Sequence, residues 1–134
     1  MKISSRESYL LWSRNNPDKI RAIDKRADVK VKTRYSLGKT LAKRCSREFT
    51  ITFEEYFQLL SQPCYYCNKE LVGVETGVGL DRIDNSKGYT IENVLPCCSI
   101  CNQTRNKNWT VEETKIMISA VMNHRKILCK TQSL

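Results

Sequence analysis

Two Cys-x-x-Cys pairs, Cys64/Cys67 and Cys98/Cys101, constrain this chain more than any other feature. Two residues between cysteines place both sulfurs on one side of a tight turn, and two such pairs complete a tetrahedral thiolate shell with zinc–sulfur bonds of about 2.3 Å. Four thiolates leave no open position, so the zinc expected here is structural. In a domain this small its binding energy is effectively folding energy. The total of seven cysteines is odd, and two spaced pairs beside scattered thiols point to metal ligation in a reducing compartment; a disulfide framework is the alternative. Cys97 competes with Cys98 as the partner of Cys101, and the two-residue spacing favours Cys98. Cys97, Cys45 and Cys129 are assigned no chemistry.

At 134 residues the chain has room for one small domain and an appendage. No apolar run approaches the roughly 20 residues that cross a bilayer, and the basic start lacks the apolar block of a secretory signal. The expectation is an intracellular protein of the cytoplasm or a host nucleus, not secreted and not in a membrane. Of the net charge of +9, residues 1–47 carry fourteen Lys and Arg against four acids, or +10, and the remainder nine against ten, or −1. A near-neutral domain joined to a basic arm suits a polyanion partner, because phosphate neutralisation and counterion release drive nucleic-acid binding. A solubilising tail is the plainer alternative.

Asn16-Pro17-Asp18 reads as a helix start, with Asn16 as cap and Pro17 in the first turn. Apolar residues from Ile20 to Leu41 are thin, so the basic arm, residues 1–49, should bury little and order on DNA. Thr52-Phe53-Glu54-Glu55 has capping-box spacing and opens a short amphipathic helix that Pro63 ends. Gly73, Gly77 and Gly79 mark a loop. Val78 to Ile83 and Glu92 to Cys97 read as two strands of a hairpin whose link, Asp84 to Thr90, is dense in turn formers. A helix from Cys98 to about Asn106 follows. Thr110-Val111-Glu112-Glu113 is a second capping box, opening a helix with an apolar stripe on which His124, the sole histidine, reads as a core-edge residue. Residues 50–134 then form one zinc-stabilised α+β domain.

The run from Gly79-Leu80-Asp81-Arg82-Ile83-Asp84-Asn85 through Glu92-Asn93-Val94 to Cys98-Ser99-Ile100-Cys101-Asn102, with Pro63-Cys64-Tyr65-Tyr66-Cys67 before it, resembles the zinc-containing HNH (ββα-metal) endonucleases of phages, viruses and restriction systems. The resemblance covers roughly residues 50–115. It implies a hairpin and helix around one catalytic Mg²⁺ or Mn²⁺, with Asp81 and Asn102 as protein ligands and Asn93 bracing the hairpin loop. One carboxylate and one amide oxygen suit a hard cation that keeps its waters. Most members have histidine where this chain has Arg82. A guanidinium has no acceptor and cannot be an ordinary general base, but it can clamp a phosphate oxygen; some restriction-type members also carry Asp-Arg.

Water would then be deprotonated by metal coordination, by solvent, or with help from a tyrosine, for which Tyr56 is the candidate. Packing within its short helix is the competing role for Tyr56. Arg105, one turn beyond Asn102, is expected at a phosphate, as are Lys87 at the loop tip and Arg44 and Arg47 in the arm. Asp84 starts the hairpin turn or serves as a spare ligand. The expectation is thus a DNA endonuclease, nicking alone and cutting both strands as a homodimer. Its rivals are a non-catalytic zinc-stabilised DNA-binding module and a structural protein that binds acidic partners through the arm.

Overall fold

The computed structural model describes residues 11–12, 14–72 and 77–132, with 19–29 as backbone only. Gly73 and the side chains of Ile20, Ile23, Ala27 and Val29 fall outside that description. Helix α1, Pro17–Arg44, starts with proline in its first turn, where the missing N–H is no loss. Asn16 does not cap it; its Nδ2 donates instead to the Trp12 carbonyl at 2.9 Å. The helix closes in a Schellman turn. Arg47 N–H reaches Ala42 O at 2.8 Å and Ser46 N–H reaches Lys43 O at 3.1 Å, with Ser46 left-handed at φ 53.

The second half of α1 packs across the expected boundary at residues 49 and 50. Val31, Arg34, Gly38 and Ala42 recur at steps of three and four and are all buried. The Tyr35 ring packs edge-on against Phe49 and Phe53, at 5.7 and 5.5 Å between centroids, and tilts over Tyr56 at 5.3 Å. Leu37 and Leu41 are exposed on another face, so Val31, Tyr35, Gly38 and Ala42 are what dock the second half of α1.

Helix α2, Phe53–Leu60, begins with the reciprocal bonds of a capping box: Glu55 N–H to Thr52 Oγ1 at 3.2 Å and Thr52 N–H to Glu55 Oε2 at 2.9 Å. It buries Tyr56, Leu59 and Leu60. Strand β1, Leu80–Arg82, pairs antiparallel with β2, Val94–Pro96, in the register Leu80↔Pro96, Asp81↔Leu95 and Arg82↔Val94. A 3₁₀ turn over Ile91–Asn93 replaces the start of the expected second strand. Helix α3 spans Ser99–Arg105 and helix α4 Val111–Gln132, whose Thr110/Glu113 capping box closes at 3.1 and 2.8 Å. Among the described residues this is an α+β arrangement of four helices and a two-stranded sheet.

Only the start of α4 is covered. Thr114 is fully buried, whereas Ile116, Val121, Ile127 and Leu128 are exposed, and from 123 to 132 every residue is exposed. His124, expected at the core edge, therefore faces solvent, because the helix outruns the domain on which it starts. No described helix is long and apolar enough to cross a membrane.

Candidate metal centre and polar cleft

The four spaced cysteines converge. One sulfur from each of Cys64, Cys67, Cys98 and Cys101 lies within 4.8 Å of the others, and Cys67 and Cys98 are 3.8 Å apart. A tetrahedron with zinc–sulfur bonds of about 2.3 Å has edges of about 3.8 Å, so the cluster fits a metal ion such as zinc with little adjustment. Backbone turns aim the sulfurs. Cys64 N–H bonds to Lys69 O at 2.8 Å and Asn68 N–H to Cys64 O at 2.9 Å, with Asn68 left-handed at φ 61. On the other side Cys98 is the N-cap of α3, and the Cys101 N–H points at its sulfur from 3.5 Å. Cys97 is buried beside the cluster but outside the four, its thiol donating to Cys98 O at 3.3 Å. Hydrogen bonds from Cys101 and Cys97 draw the Cys64 thiol well below its ordinary range, while Cys101 is pushed up by its bond to Cys64 and by burial.

The first cysteine turn also reaches β1. Tyr65 N–H bonds to Pro96 O at 2.8 Å, leaving Tyr65 41% exposed and Tyr66 2% exposed. The Tyr66 hydroxyl donates to Asp81 Oδ2 at 2.6 Å. Burial, then this bond to a carboxylate, push Tyr66 far above the usual phenol range, with Arg105 pulling the other way. Neither sequence pattern nor spacing tells which of the two tyrosines turns inward.

Arg105 is not at the surface. Its side chain is buried, and four of its five N–H groups are engaged inside: Nη1 donates to Asp81 Oδ1 at 2.7 Å and also to Arg82 O, Nη2 to Ile83 O at 2.7 Å, and Nε to Trp109 O at 3.1 Å. The phosphate contact expected of it is thus corrected. A guanidinium one turn past Asn102 finds three strand carbonyl and carboxylate acceptors before it finds solvent. Tyr56 is corrected likewise as a helper in water activation. It is completely buried, its hydroxyl donates to Val78 O, and burial pushes it up to about 12, partly offset by Arg34.

Asn93 is buried and makes three bonds across the hairpin loop: Oδ1 accepts from Asp84 N–H at 2.9 Å, and Nδ2 donates to Asp84 O and Gly88 O at 3.0 and 2.9 Å. Arg82 adds two more, from Nη1 to Asn85 O and Lys87 O at 2.9 and 2.8 Å, and lies over the Tyr89 ring at 5.5 Å. Asp84 starts the turn, accepting from the Ser86 N–H and hydroxyl at 2.9 and 2.6 Å. Those bonds hold its carboxyl below the usual range. Lys87 sits 3.8 Å from Asp84 and is otherwise exposed.

Asp81, Arg82 and Asn102 line one polar cleft of about 430 Å³, together with Arg47, Tyr89 and Lys107. Asn102 is exposed on α3 and its Nδ2 is 3.5 Å from Leu80 O, next to Asp81. Arg44 is exposed on α1 but lines none of this cleft. Two cleft contacts escape sequence reasoning: Lys107, and the Asn85 Nδ2 bond to Asn106 O at 3.3 Å that ties the hairpin loop to the end of α3.

No protein-family model and no solved structure matches this chain. It is similar to an uncharacterized protein of Acanthamoeba polyphaga mimivirus, 33% identical over 93 residues, which are 69% of this chain and 17% of that protein. The chain thus spans a small part of its viral relative's length.

Proposed function

We propose that the chain is a metal-dependent DNA endonuclease of the HNH (ββα-metal) kind, in which a structural zinc on Cys64, Cys67, Cys98 and Cys101 holds the hairpin and α3 that frame the cleft. The observation that carries this reading is the meeting of Asp81 and Asn102 on one polar cleft beside the cysteine cluster. Asp81 comes from β1 and Asn102 directly follows a cluster cysteine, so the zinc fixes one ligand relative to the other. The donor set fits a hard cation. Each Asp81 oxygen has one donor and keeps a second lone pair, and the Asn102 amide oxygen adds a neutral ligand, as suits Mg²⁺ or Mn²⁺ retaining several waters.

When bound, such an ion stabilises the charge that develops on the phosphate and favours ionisation of a nearby water. The chain's own residues do the rest. Asn93 keeps the loop closed, Tyr66 and Arg105 hold the Asp81 carboxylate in one orientation, and Arg82 brings positive charge to the cleft wall where a phosphate oxygen would lie. Position 82 offers no acceptor, so the proton of the attacking water leaves to solvent.

One observation favours a non-catalytic zinc-stabilised DNA-binding module instead. Both Asp81 oxygens already have donors, and the Arg105 charge offsets the carboxylate. Plasmid cleavage separates the two. Wild type should convert supercoiled plasmid to nicked or linear forms with Mg²⁺ or Mn²⁺ and not without a divalent ion, while Asn102→Ala, at an exposed position, should fold, keep zinc and lose cutting. Wild type that binds DNA yet leaves plasmid intact with every metal establishes the module.

A further inference from the structure

Arg47 lies where three grooves meet. One of about 340 Å³ is shared with Lys39, Lys43 and Phe49, a second of about 410 Å³ with Arg82, Ser86 and Lys87, and the third is the cleft of Asp81 and Asn102. Lys39 and Lys43 are one turn apart and share a face of α1. Among the described residues Lys43, Arg47 and Lys107 have no carboxylate within ion-pair distance. Glu48 is the acid that lines the second groove, so favourable charge comes from the cations on either side of it.

Three features hold Arg47 in that place. The Schellman turn at Ser46 swings the chain off the end of α1. The segment after it is bonded edge to edge with the hairpin loop, Thr50 N–H to Tyr89 O at 3.0 Å and Tyr89 N–H to Glu48 O at 2.7 Å. Gly88 permits this approach, because a Cβ there would stand 2.5 Å from Glu48 O. The basic helix and the hairpin are therefore one rigid wall at this point, and the cations on it keep their order.

We infer that Lys39, Lys43, Arg47 and Lys107 form one cationic track that carries the sugar–phosphate backbone of duplex DNA along the end of α1 and into the cleft. Where the backbone is taken rests on the nuclease reading; that it binds on this track does not. Contacts of this kind read phosphates and carry no base information, so binding is sequence-independent. The duplex assignment follows from the aromatic rings. The rings that line the three grooves, Phe49 and Tyr89, tilt against each other at 5.5 Å, with Tyr35 edge-on to Phe49 and Arg82 over Tyr89, so within the grooves neither ring offers an open face to the unstacked bases of a single strand.

The test is fluorescence anisotropy of labelled 20-mer duplexes of two unrelated sequences, titrated with the zinc-loaded full chain in buffer without divalent ions, so that nothing is cut. Arg47→Glu, Lys43→Glu and Lys107→Glu should each weaken binding about tenfold at low salt and flatten the slope of log affinity against log salt by about one to two. Lys126→Glu makes the same charge change on α4, outside all three grooves, and should cost less than about twofold. Zinc content and thermal melts establish that each variant is folded. Equal losses at Lys126 and Arg47 would mean diffuse attraction and overturn the track, as would a single strand bound as tightly as the duplex. Plasmid left intact while duplex binding depends on Arg47 retires the nuclease and keeps the track; cutting that is indifferent to Arg47 does the reverse.

Discussion

Arg105 Nη1 meets Asp81 Oδ1 at 2.7 Å with both side chains 4% exposed, which makes the candidate cation ligand also one half of a buried ion pair. Removing one partner of such a pair leaves an uncompensated buried charge. Asp81→Ala should therefore lower unfolding free energy by about 3–5 kcal/mol, whereas Asp81→Asn, which keeps an acceptor oxygen for the guanidinium, should cost about half as much. Urea titration of the zinc-loaded variants measures both. Loss of cutting in Asp81→Ala alone would then say little about metal binding, and Asn102 becomes the position at which that question is clean.

Tyr66 is the second hold on the same carboxylate, and it belongs to the cysteine turn, so it couples the cysteine cluster to β1. Tyr66→Phe removes one hydrogen bond to a charged acceptor and should cost about 1.5–3 kcal/mol. Zinc content should stay at one per chain, because the ring still packs and the four sulfurs are untouched. A Tyr66→Phe protein as stable as wild type would show that Asp81 is oriented by Arg105 alone.

Alkaline pH should destabilise the fold through Tyr56. Burial raises its folded-state value to about 12, above the ordinary 10.0, so between those limits the unfolded chain releases a proton that the folded chain keeps. Stability is then unaffected below about pH 10 and falls as pH rises, with a slope approaching about 1.4 kcal/mol per pH unit for this one group. Tyr56→Phe should lose stability at neutral pH by about 1 kcal/mol for the bond to Val78 O, and show a shallower fall above pH 10. Denaturant unfolding at pH 7, 9, 10 and 11 gives both numbers.

Much of this was legible because it is local. The cysteine spacing, both capping boxes and the turn-rich link each depend on residues within a few positions of one another, and each appears as bonds in the structure. What failed was the side-chain destination at a distance. Arg105 reads in sequence as a phosphate contact and nothing in its spacing singles out Arg34, yet Arg105 donates to Asp81 and to the Arg82 and Ile83 carbonyls, and Arg34 donates to Leu71 O and Gly77 O, each at 3.0 Å. Sequence periodicity shows that a face is apolar without showing whether anything covers it. The sparse stripe of α1 is docked by Tyr35 and its ring neighbours, while the richer stripe of α4 is left in solvent.

The choice between Cys97 and Cys98 can be made chemically. Cys98 is within the four-sulfur cluster and Cys97 outside it, so Cys98→Ser should abolish stoichiometric zinc and, with it, most of the folded population. Cys97→Ala keeps the ligand set and should cost about 1–2 kcal/mol for a small buried side chain. Zinc per chain by elemental analysis and far-UV circular dichroism distinguish them. Strong chelation of wild type should reproduce the Cys98→Ser phenotype and reverse when zinc is restored.

Ser46 is the least comfortable residue in the wall that carries Arg47. A non-glycine residue at φ 53 pays a steric penalty of about 1 kcal/mol, and the Schellman turn needs that conformation to bond Arg47 N–H to Ala42 O. Ser46→Gly removes the penalty and raises unfolded-state freedom, so the net gain should be about 0.5 kcal/mol. Ser46→Val, β-branched and ill suited to positive φ, should destabilise by about 1–2 kcal/mol and open the turn. If the turn is what aims Arg47, Ser46→Val must also weaken duplex binding without any change of charge, while Ser46→Gly leaves it as it is. Equal affinities for the two variants would show that Arg47 finds the cleft without the turn.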